Sequence, residues 1–504
     1  MSVARARSAS LWIETGPQQP SFAPLEGHAR ADVVVIGGGI VGITTALLLA
    51  EAGAQVVLLE AARLGHGVSG HTTAKVSSQH GMIYAMLRSR FGADTARAYG
   101  AANEAALAWI AERVARDAID CDLRRRASYA YVTSASERAS AEDEASAAIE
   151  AGLPAQLVEA TPLPFDVEAA VRFEHQAEFH VSKYLAALTG ALADAGCVVH
   201  EHSRAVEVDA GAPCVVKTPG GRVSADRVIV ATHYPFLDRS LAFARVHPER
   251  SYALACRIAG APPEGMFIGS SPTRSVRAAP LDGEQLLLVG GEGHRTGTGG
   301  DTEERYRRLE RFAREHWDVH EVANRWSAQD NTTLDGLPYV GRMTPGYGRV
   351  LMATGFAKWG MTGGTAAARL LADLALGRDN PWQALFDPNR LTLRASAPRL
   401  IKENAVAGLR FAGDRITRRP ASIEHLQPGE ADIVRAGGDV VAAFRDDDGT
   451  LTAVSPTCTH LGCRVTWNRA ERSWDCPCHG SRFSPSGEVL QGPAVHRLER
   501  RPVG

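Results

Sequence analysis

The apolar positions near the start of the chain predict a strand, a helix and a second strand. Residues 31–36 form a largely apolar run that ends at three glycines, residues 40–53 form an apolar helical stretch that ends at a glycine, and residues 54–60 return to an apolar run. Apolar strands on both sides of a helix are typical of a βαβ unit in a parallel sheet that is covered on both faces. The pattern therefore predicts an α/β fold for this region.

The remaining pattern predicts a large mixed region, a linker and a small domain. We expect a helical stretch over 87–150, strands over 222–235 and 274–291, a charged amphipathic helix over 301–322 and a helix over 363–376. The polar, proline-containing stretch at 381–395 predicts a linker. After it, short apolar runs separated by Gly and Asp turns predict a separate all-β domain over 396–504.

Composition narrows the class of protein. The 504 residues are 45% apolar and 22% charged, values typical of a globular chain with a large core. The 55 basic and 57 acidic residues leave a net charge of −2, so no strong field favours nucleic acid or a lipid surface. The uncharged stretch 33–50 contains four glycines, which argue against a membrane-spanning helix. Since the N-terminus also lacks an apolar leader, we expect a soluble, cytoplasmic protein.

The turn after the first strand carries candidate chemistry. Gly37, Gly39 and Gly42 satisfy G-x-G-x-x-G, in which the glycines allow a tight turn, close approach of a pyrophosphate and helix–strand packing. The N-terminus of the following helix attracts phosphate. Glu60, 18 residues after Gly42, ends the second strand and can accept both ribose hydroxyls. The motif predicts a dinucleotide site but does not separate FAD from NAD.

Later segments resemble the D-amino-acid oxidase and glycine oxidase superfamily of FAD enzymes. Residues 65–73, 228–232, 335–341 and 355–362 follow the glycine turn in the order found in that family. The resemblance implies FAD, held by a Rossmann-like α/β domain of the glutathione-reductase type beside an α+β substrate domain. It implies FAD contacts from Gly37, Gly39, Ile40, Val41, Gly42, Glu60, Ser69, Thr72, Thr73, Thr232, Gly355, Lys358, Trp359, Gly360 and Met361.

The same resemblance implies a division of the chain. An N-terminal extension covers 1–30, and the flavin oxidoreductase covers 31–380. Its FAD-binding parts are expected at about 31–85, 180–245 and 330–380, and its substrate parts at about 86–179 and 246–329.

A cluster of cysteines and histidines lies near the C-terminus. Four of the eight cysteines fall within 21 residues, in the segments Cys-Thr-His-Leu-Gly-Cys from 458 and Cys-Pro-Cys-His-Gly-Ser from 476. Two cysteines and two histidines suit a Cys₂His₂ zinc site. They also suit a Rieske [2Fe–2S] centre, in which His₂ replaces Cys₂ on one iron. The interleaved order, with a further cysteine in each segment, favours the Rieske centre.

The region resembles Rieske domains of the disulfide-bearing type found in respiratory and photosynthetic complexes. The resemblance assigns Cys458 and Cys476 to one iron and His460 and His479 to the other. It pairs Cys463 with Cys478 in a disulfide and places Gly492-Pro493 in a third loop over the cluster. It also aligns Ser481 and Phe483 with a Ser and a Tyr that donate hydrogen bonds to cluster sulfurs in the respiratory relatives.

Three residues are candidates for the substrate side. Amino-acid-oxidising relatives carry an Arg five residues before the Asp-Gly at 335–336, where it holds the substrate carboxylate. Here Asp330 occupies that position, either as a charge facing the substrate or as a solvated turn residue. Lys358 lies inside a flavin-binding segment, where a cation would stabilise reduced flavin, or it lies on the surface. His71, in the second glycine-rich segment, is a further candidate.

The two resemblances imply an enzyme that oxidises a C–N bond of an amine or amino acid. Electrons would pass from FAD through the cluster to an external acceptor, which makes the protein a dehydrogenase. One alternative is a reductase in which the cluster feeds the flavin, and another is a redox sensor without a small-molecule substrate. A mononuclear-iron oxygenase would need a facial triad. The His175–His180 pair lacks the expected acid, since Arg172 stands there.

Overall fold

The computed structural model describes residues 6–237, 242–281, 283–298, 300–346, 348–390 and 421–502. The α-helices of these residues are α1 (Leu11–Glu14), α2 (Ile40–Glu51), α3 (Tyr84–Phe91), α4 (Ala93–Arg116), α5 (Arg138–Glu150), α6 (Val181–Asp194), α7 (Ala242–Arg245), α8 (Glu303–His316), α9 (Gly360–Leu376) and α10 (Gln383–Phe386). None of these helices combines the length and apolar character needed to cross a membrane.

The strands fall into four sheets. They are β1 (Gly27–Ile36), β2 (Val56–Leu59), β3 (Lys75–Val76), β4 (Arg124–Val132), β5 (Ala155–Val158), β6 (Ala169–Glu178), β7 (Val198–His200), β8 (Glu207–Asp209), β9 (Cys214–Lys217), β10 (Gly221–Val230), β11 (Val246–Ile258), β12 (Met266–Gly269), β13 (Arg274–Leu281), β14 (Glu284–Arg295), β15 (Val319–Thr333), β16 (Tyr339–Arg342), β17 (Val350–Thr354), β18 (Ala431–Ala436), β19 (Asp439–Arg445), β20 (Leu451–Val454), β21 (Thr466–Asn468), β22 (Ser473–Asp475), β23 (Arg482–Phe483) and β24 (Val489–Gln491).

The first sheet confirms the predicted βαβ unit. Its strands follow the order β16-β17-β10-β1-β2-β7, with β9 and β8 added beside β10. β1 is parallel to both β2 and β10, which places Val34 opposite Val57 and Val228. All three side chains are buried, and α2 packs against α9 over this sheet. The carboxyl ends of β1, β2 and β10 therefore meet at one edge, where the glycine turn lies.

The second sheet has nine strands in the order β15-β11-β14-β13-β12-β4-β6-β3, with β5 paired to β6. One of these strands, β4, interrupts the helical stretch expected over 87–150, which is otherwise helical in α3, α4 and α5. Its last five residues are all buried, and it pairs with β6 and β12. Tyr129 stacks on Phe267 with ring centroids 5.0 Å apart. Tertiary pairing of this aromatic strand outweighs the Ala- and Arg-rich composition around it.

The N-terminal extension is part of the flavin-binding region. Leu11 and Trp12 of α1 are fully buried in its core. The indole Nε1 of Trp12 donates to the carbonyl of Thr72 at 2.6 Å. This contact ties the extension to the second glycine-rich segment, so residues 6–30 support the site rather than precede the domain.

The start of the expected linker also belongs to the flavin-binding region. Residues 383–386 form α10, and Phe386 is buried in the main core. Arg390 donates from Nε and Nη2 to the two carboxylate oxygens of Asp335, each at 2.8 Å. This bidentate ion pair anchors the chain up to residue 390. The later part of the expected linker, 391–395, and the first residues of the expected Rieske domain lie outside the described residues.

The C-terminal region is all-β, as predicted. Strands β18–β20 form a three-stranded antiparallel sheet, and β21–β24 form a four-stranded one. A small core between them contains Trp474 and Phe483, both fully buried, together with the four cysteines. The cysteines therefore form part of the core of this domain.

Candidate active site

One cavity of about 960 Å³ runs along the carboxyl edge of the first sheet. Of the residues expected to contact FAD, all except Gly42 and Gly355 line it: Gly37, Gly39, Ile40, Val41, Glu60, Ser69, Thr72, Thr73, Thr232, Lys358, Trp359, Gly360 and Met361. Segments separated by more than 300 residues thus meet in one groove. This size and shape suit a large, elongated cofactor.

The glycine turn provides a cradle that side chains would fill. Gly37 has φ +109°, and a Cβ there would lie 2.5 Å from the carbonyl oxygen of Ala231. A Cβ on Gly42 would lie 1.8 Å from the Gly37 oxygen, so Gly42 serves helix–strand contact rather than the groove wall. Helix α2 begins at Ile40, whose N–H donates to the Ser69 hydroxyl at 3.0 Å. The helix N-terminus faces the groove, which fits the pyrophosphate of FAD.

Glu60, which the motif predicts as the ribose ligand, directly follows β2 and lines the groove. Its Oε2 accepts the N–H of Gly38 at 2.6 Å, and its Oε1 accepts that of Ala62 at 2.8 Å. Burial raises the pKa of this carboxyl, while the two backbone donors and Arg204 oppose that change. Arg204 also lines the cavity. Sequence analysis did not identify it, because it lies in a loop without a motif.

The segment after β17 reaches the groove through a strained turn. Gly355 has φ +84°, and a Cβ there would lie 2.3 Å from Cγ2 of Thr333. Lys358 follows with φ +78°, an uncommon conformation for a side-chain-bearing residue. Trp359 then stacks on His80 with centroids 4.8 Å apart. Gly355 thus shapes the turn. The N-terminus of α9, at Gly360, lies at the cavity together with the N-terminus of α2.

Acidic and basic groups meet on the β11–β15 wall. Asp330 lies within β15 rather than in a turn, and its side chain is 13% exposed. It pairs in register with Glu249 of β11, so both carboxylates lie on the same face. Nζ of Lys358 lies 3.5 Å from Oε2 of Glu249, and Nε2 of His233 lies 3.7 Å from Oδ1 of Asp330. All four line the cavity.

His71 also lines the cavity, but its ring is held locally. Nδ1 lies 2.9 Å from the carbonyl oxygen of Gly67, four residues earlier. Burial lowers the pKa of this histidine, so the neutral ring dominates at ordinary pH. The ring is a cavity-lining group with one nitrogen already engaged.

Sequence analysis missed Lys75, which lines the same cavity from β3. The residue is only 8% exposed, and its ammonium donates to the hydroxyl of Ser275. Burial, with the nearby positive charge of Arg277, lowers the pKa of Lys75 to about 7, and Glu178 partly opposes this. Glu178 is itself engaged by Arg277, with Nε and Oε2 3.3 Å apart. Lys75 is therefore an amine that exchanges a proton near neutral pH.

The cysteine-rich segments form two loops that meet. Cys463 and Cys478 form the disulfide that the resemblance implied. Cys458 and Cys476 are buried and lie outside that disulfide. The rings of His460 and His479 face each other with centroids 5.0 Å apart and planes at 87°. Two thiols and two imidazoles thus converge, and this donor set fits a Rieske cluster.

The surroundings of these side chains suit metal ligands. Contact with Cys476 lowers the pKa of Cys458, and the Ser481 hydroxyl adds to this effect. Burial lowers the pKa of His479 to about 3, so its ring is neutral, as ligation requires. Ser481 in turn accepts the N–H of Ala494 at 3.0 Å, which ties the third loop to the cluster site.

Family models match both parts of the chain. The model described as FAD dependent oxidoreductase (DAO) matches residues 32–374, and the Rieske [2Fe-2S] domain model matches residues 420–502. The chain belongs to the DAO family of FAD-dependent oxidoreductases. It carries a Rieske domain as well, so FAD and a [2Fe–2S] cluster are its cofactors. These matches confirm the two resemblances and disfavour zinc.

Individual proteins are similar over different spans. A Bacillus subtilis (strain 168) protein described as a Rieske 2Fe-2S iron-sulfur protein, YhfW, is 37% identical over 97% of this chain and 96% of its own. Gamma-glutamylputrescine oxidoreductase of Escherichia coli K12 is 29% identical over 44% of this chain and 54% of its own. The structure of glycine oxidase from Geobacillus kaustophilus, 21% identical, covers 72% of this chain and 99% of its own with a TM-score of 0.58.

The Rieske domain of this DAO-family protein contacts the flavin-site wall. Nε2 of Gln329, next to Asp330 on β15, donates to the carbonyl of Gly480 at 2.9 Å. Gly480 directly follows the expected ligand His479. Nε of the buried Arg250 lies 3.9 Å from Oδ2 of Asp475, the residue before Cys476. The cluster loop is thus joined to the strands that line the cavity.

The two histidines of the 175–180 segment have structural surroundings. His180 accepts the N–H of Lys183 at 3.3 Å, where it caps α6, and its Nε2 lies 2.9 Å from the Thr15 hydroxyl. Burial lowers the pKa of His180 to about 4. His175 lies in β6 with φ +61°. Neither histidine lines the cavity, and His180 is explained by its helix cap.

Proposed function

We propose that this protein is an amine dehydrogenase that passes electrons from FAD through the Rieske cluster to an external acceptor. When bound, FAD would supply a hydride acceptor for the carbon beside the substrate nitrogen, and the cluster would supply one-electron transfer to the acceptor. The observation that carries the proposal is the contact between the cluster loop and the cavity wall. Gln329 contacts Gly480, while Asp330 beside it lines the cavity. Both cofactor sites therefore share β15.

The charges on that wall favour a cationic substrate. Asp330 stands where amino-acid-oxidising relatives carry an Arg, and Glu249 lies beside it. A carboxylate cannot bind another carboxylate in a forked ion pair, whereas it stabilises an ammonium group. At an effective dielectric of 20, two unit charges 4 Å apart interact by about 4 kcal/mol. The similarity to gamma-glutamylputrescine oxidoreductase supports an amine rather than a simple amino acid.

Lys75 supplies the proton acceptor. An amine releases hydride only after its nitrogen has lost the extra proton. The group that accepts this proton needs a pKa near the pH of the medium. The proton passes from the substrate nitrogen to Nζ of Lys75, whose pKa is about 7. Loss of hydride then leaves an iminium product that water hydrolyses. Ser275, which accepts a hydrogen bond from Nζ, orients Lys75.

Anaerobic rapid mixing with a panel of diamines, monoamines and amino acids tests the proposal. We expect diamines to bleach the flavin first, with the Rieske signal growing afterwards. Cluster reduction before flavin bleaching would show that electrons run from the cluster to the flavin. Absence of bleaching with every amine would favour the redox sensor.

A further inference from the structure

The third loop of the Rieske domain borders the FAD groove. The loop begins with β24 and runs on to Val495, and residues 490–495 line the same cavity as the glycine turn and Glu60. This loop lies more than 400 residues after the glycine turn in the sequence. The Rieske domain therefore contributes a wall to the flavin site.

Two contacts hold this loop along the groove. Near Glu60, Nη2 of Arg204 donates to the carbonyl of Val489 at 3.0 Å, and Arg204 also acts on Glu60 electrostatically. Further along, Nε2 of Gln491 lies 3.2 Å from Nδ1 of His233, the residue after Thr232. These contacts place the loop beside Glu60 and beside Thr232, both of which are expected to contact FAD.

The same loop reaches the cluster site. The N–H of Ala494 donates to the Ser481 hydroxyl, which itself contacts Cys458. One short segment thus borders both cofactor sites. Interfaces between domains of one chain commonly open and close. Opening of this one would remove a wall from the FAD groove.

We propose that the docked Rieske domain forms the outer wall of the FAD site, so that FAD is held tightly only while the two domains are in contact. Because binding and docking are reciprocally coupled, FAD also stabilises the docked arrangement. The proposal concerns cofactor retention and does not depend on the direction of electron flow. Its failure would leave the proposed function untouched.

Gly297 offers a way to separate the domains without substituting a residue that lines the groove. It lies outside the cavity lining and has φ +69°, and a Cβ there would lie 2.7 Å from Cα of Pro477. A leucine at this position therefore pushes the cluster loop away from the flavin domain. Gly300 is a matched control. Like Gly297 it lies between β14 and α8, with φ +68°, but a Cβ there meets nothing within 4 Å. Both substitutions place a side chain at nearly the same positive φ, a conformation that disfavours any residue other than glycine.

The experiment compares Gly297→Leu, Gly300→Leu and the native holoprotein. Small-angle scattering reports domain separation, the Rieske electron paramagnetic signal reports an intact cluster, and flavin fluorescence reports FAD release. In Gly297→Leu we expect the two domains to separate and the affinity for FAD to fall at least about tenfold. Gly300→Leu should behave like the native protein in both measurements. If the domains of Gly297→Leu stay docked, the larger side chain of Gly297→Arg is tested in its place. A separated protein with an intact cluster and native FAD affinity would overturn the proposal.

Discussion

The two cofactor regions of this protein hold their groups in opposite ways. The cluster ligands come from two short loops, 458–463 and 476–481, which a disulfide joins and a small core surrounds. The FAD groove is a long cavity of about 960 Å³ whose walls come from segments spread along the whole chain. One site is local and covalently tied, and the other is distributed and depends on packing.

This difference indicates which structural change would disrupt each cofactor site. A ligand substitution removes the cluster at a single point, because each ligand supplies a metal bond that nothing replaces. The lining of the FAD groove comes from many segments, so we expect no single side chain to be decisive for FAD binding. On our proposal, its most vulnerable part is the wall that the Rieske domain supplies near Arg204 and His233.

The largest expected effect comes from the local site. His460→Ala should abolish the Rieske signal and acceptor-dependent turnover, while FAD stays bound and is still bleached anaerobically by substrate. The reason is that the disulfide and the core of the domain remain. His496→Ala, at an exposed position of the same domain, is the control. Stoichiometric zinc in the native protein, or normal turnover by His460→Ala, would contradict the assignment.

Lys75→Met tests the distributed site and should slow flavin reduction by about 100-fold at neutral pH. Protonated Lys75 cannot accept a proton, so the native rate should rise with pH up to about 7 and level off above it. The variant should lose this rise in stopped-flow measurements. Lys183→Met is the control, since Lys183 pairs with Asp122 at 2.9 Å outside the cavity. An unchanged pH profile in Lys75→Met would remove Lys75 from the reaction.

Asp330 should affect substrate choice more than rate. Asp330→Asn should raise the KM for cationic amines by about tenfold, because one attractive charge is lost. Asp330→Arg should improve turnover of simple α-amino acids. Asp318→Asn, at an exposed position just before β15, is the matched control. Efficient turnover of glycine or D-alanine by the native protein would argue against a cationic substrate.

The smallest effect is a shift in cluster potential. Phe483 is fully buried beside the cluster loops and lacks the hydroxyl that a tyrosine donates to a sulfur. Phe483→Tyr should raise the potential by about 40 mV, the equivalent of one hydrogen bond of ~1 kcal/mol for one electron. Redox titration checks this, with Phe444→Tyr on β19 as the control. A potential that stays the same or falls would show that the loop is aligned incorrectly.

Much of the fold could be predicted from local patterns, and the errors have physical causes. The βαβ unit follows from apolar runs around a glycine turn, and it was confirmed. Strand β4 was expected to be helical because its neighbours are rich in Ala and Arg, yet pairing with β6 and β12 decides its conformation. The expected extension and the first part of the linker pack on the flavin domain through Trp12 and Arg390.

The sequence alone located the two cofactor sites, because glycine turns and Cys–His spacings act over a few neighbouring residues. The choice of FAD and of a Rieske cluster came from the resemblance to known families. The residues Gly37, Gly39, Cys458 and His460 could be named without knowing the fold. The tertiary structure decided the properties that come from burial and long-range contact. Lys75 is an ordinary lysine in the sequence, and only its burial beside Arg277 brings its pKa to about 7. Likewise, only domain packing places the third Rieske loop on the FAD groove.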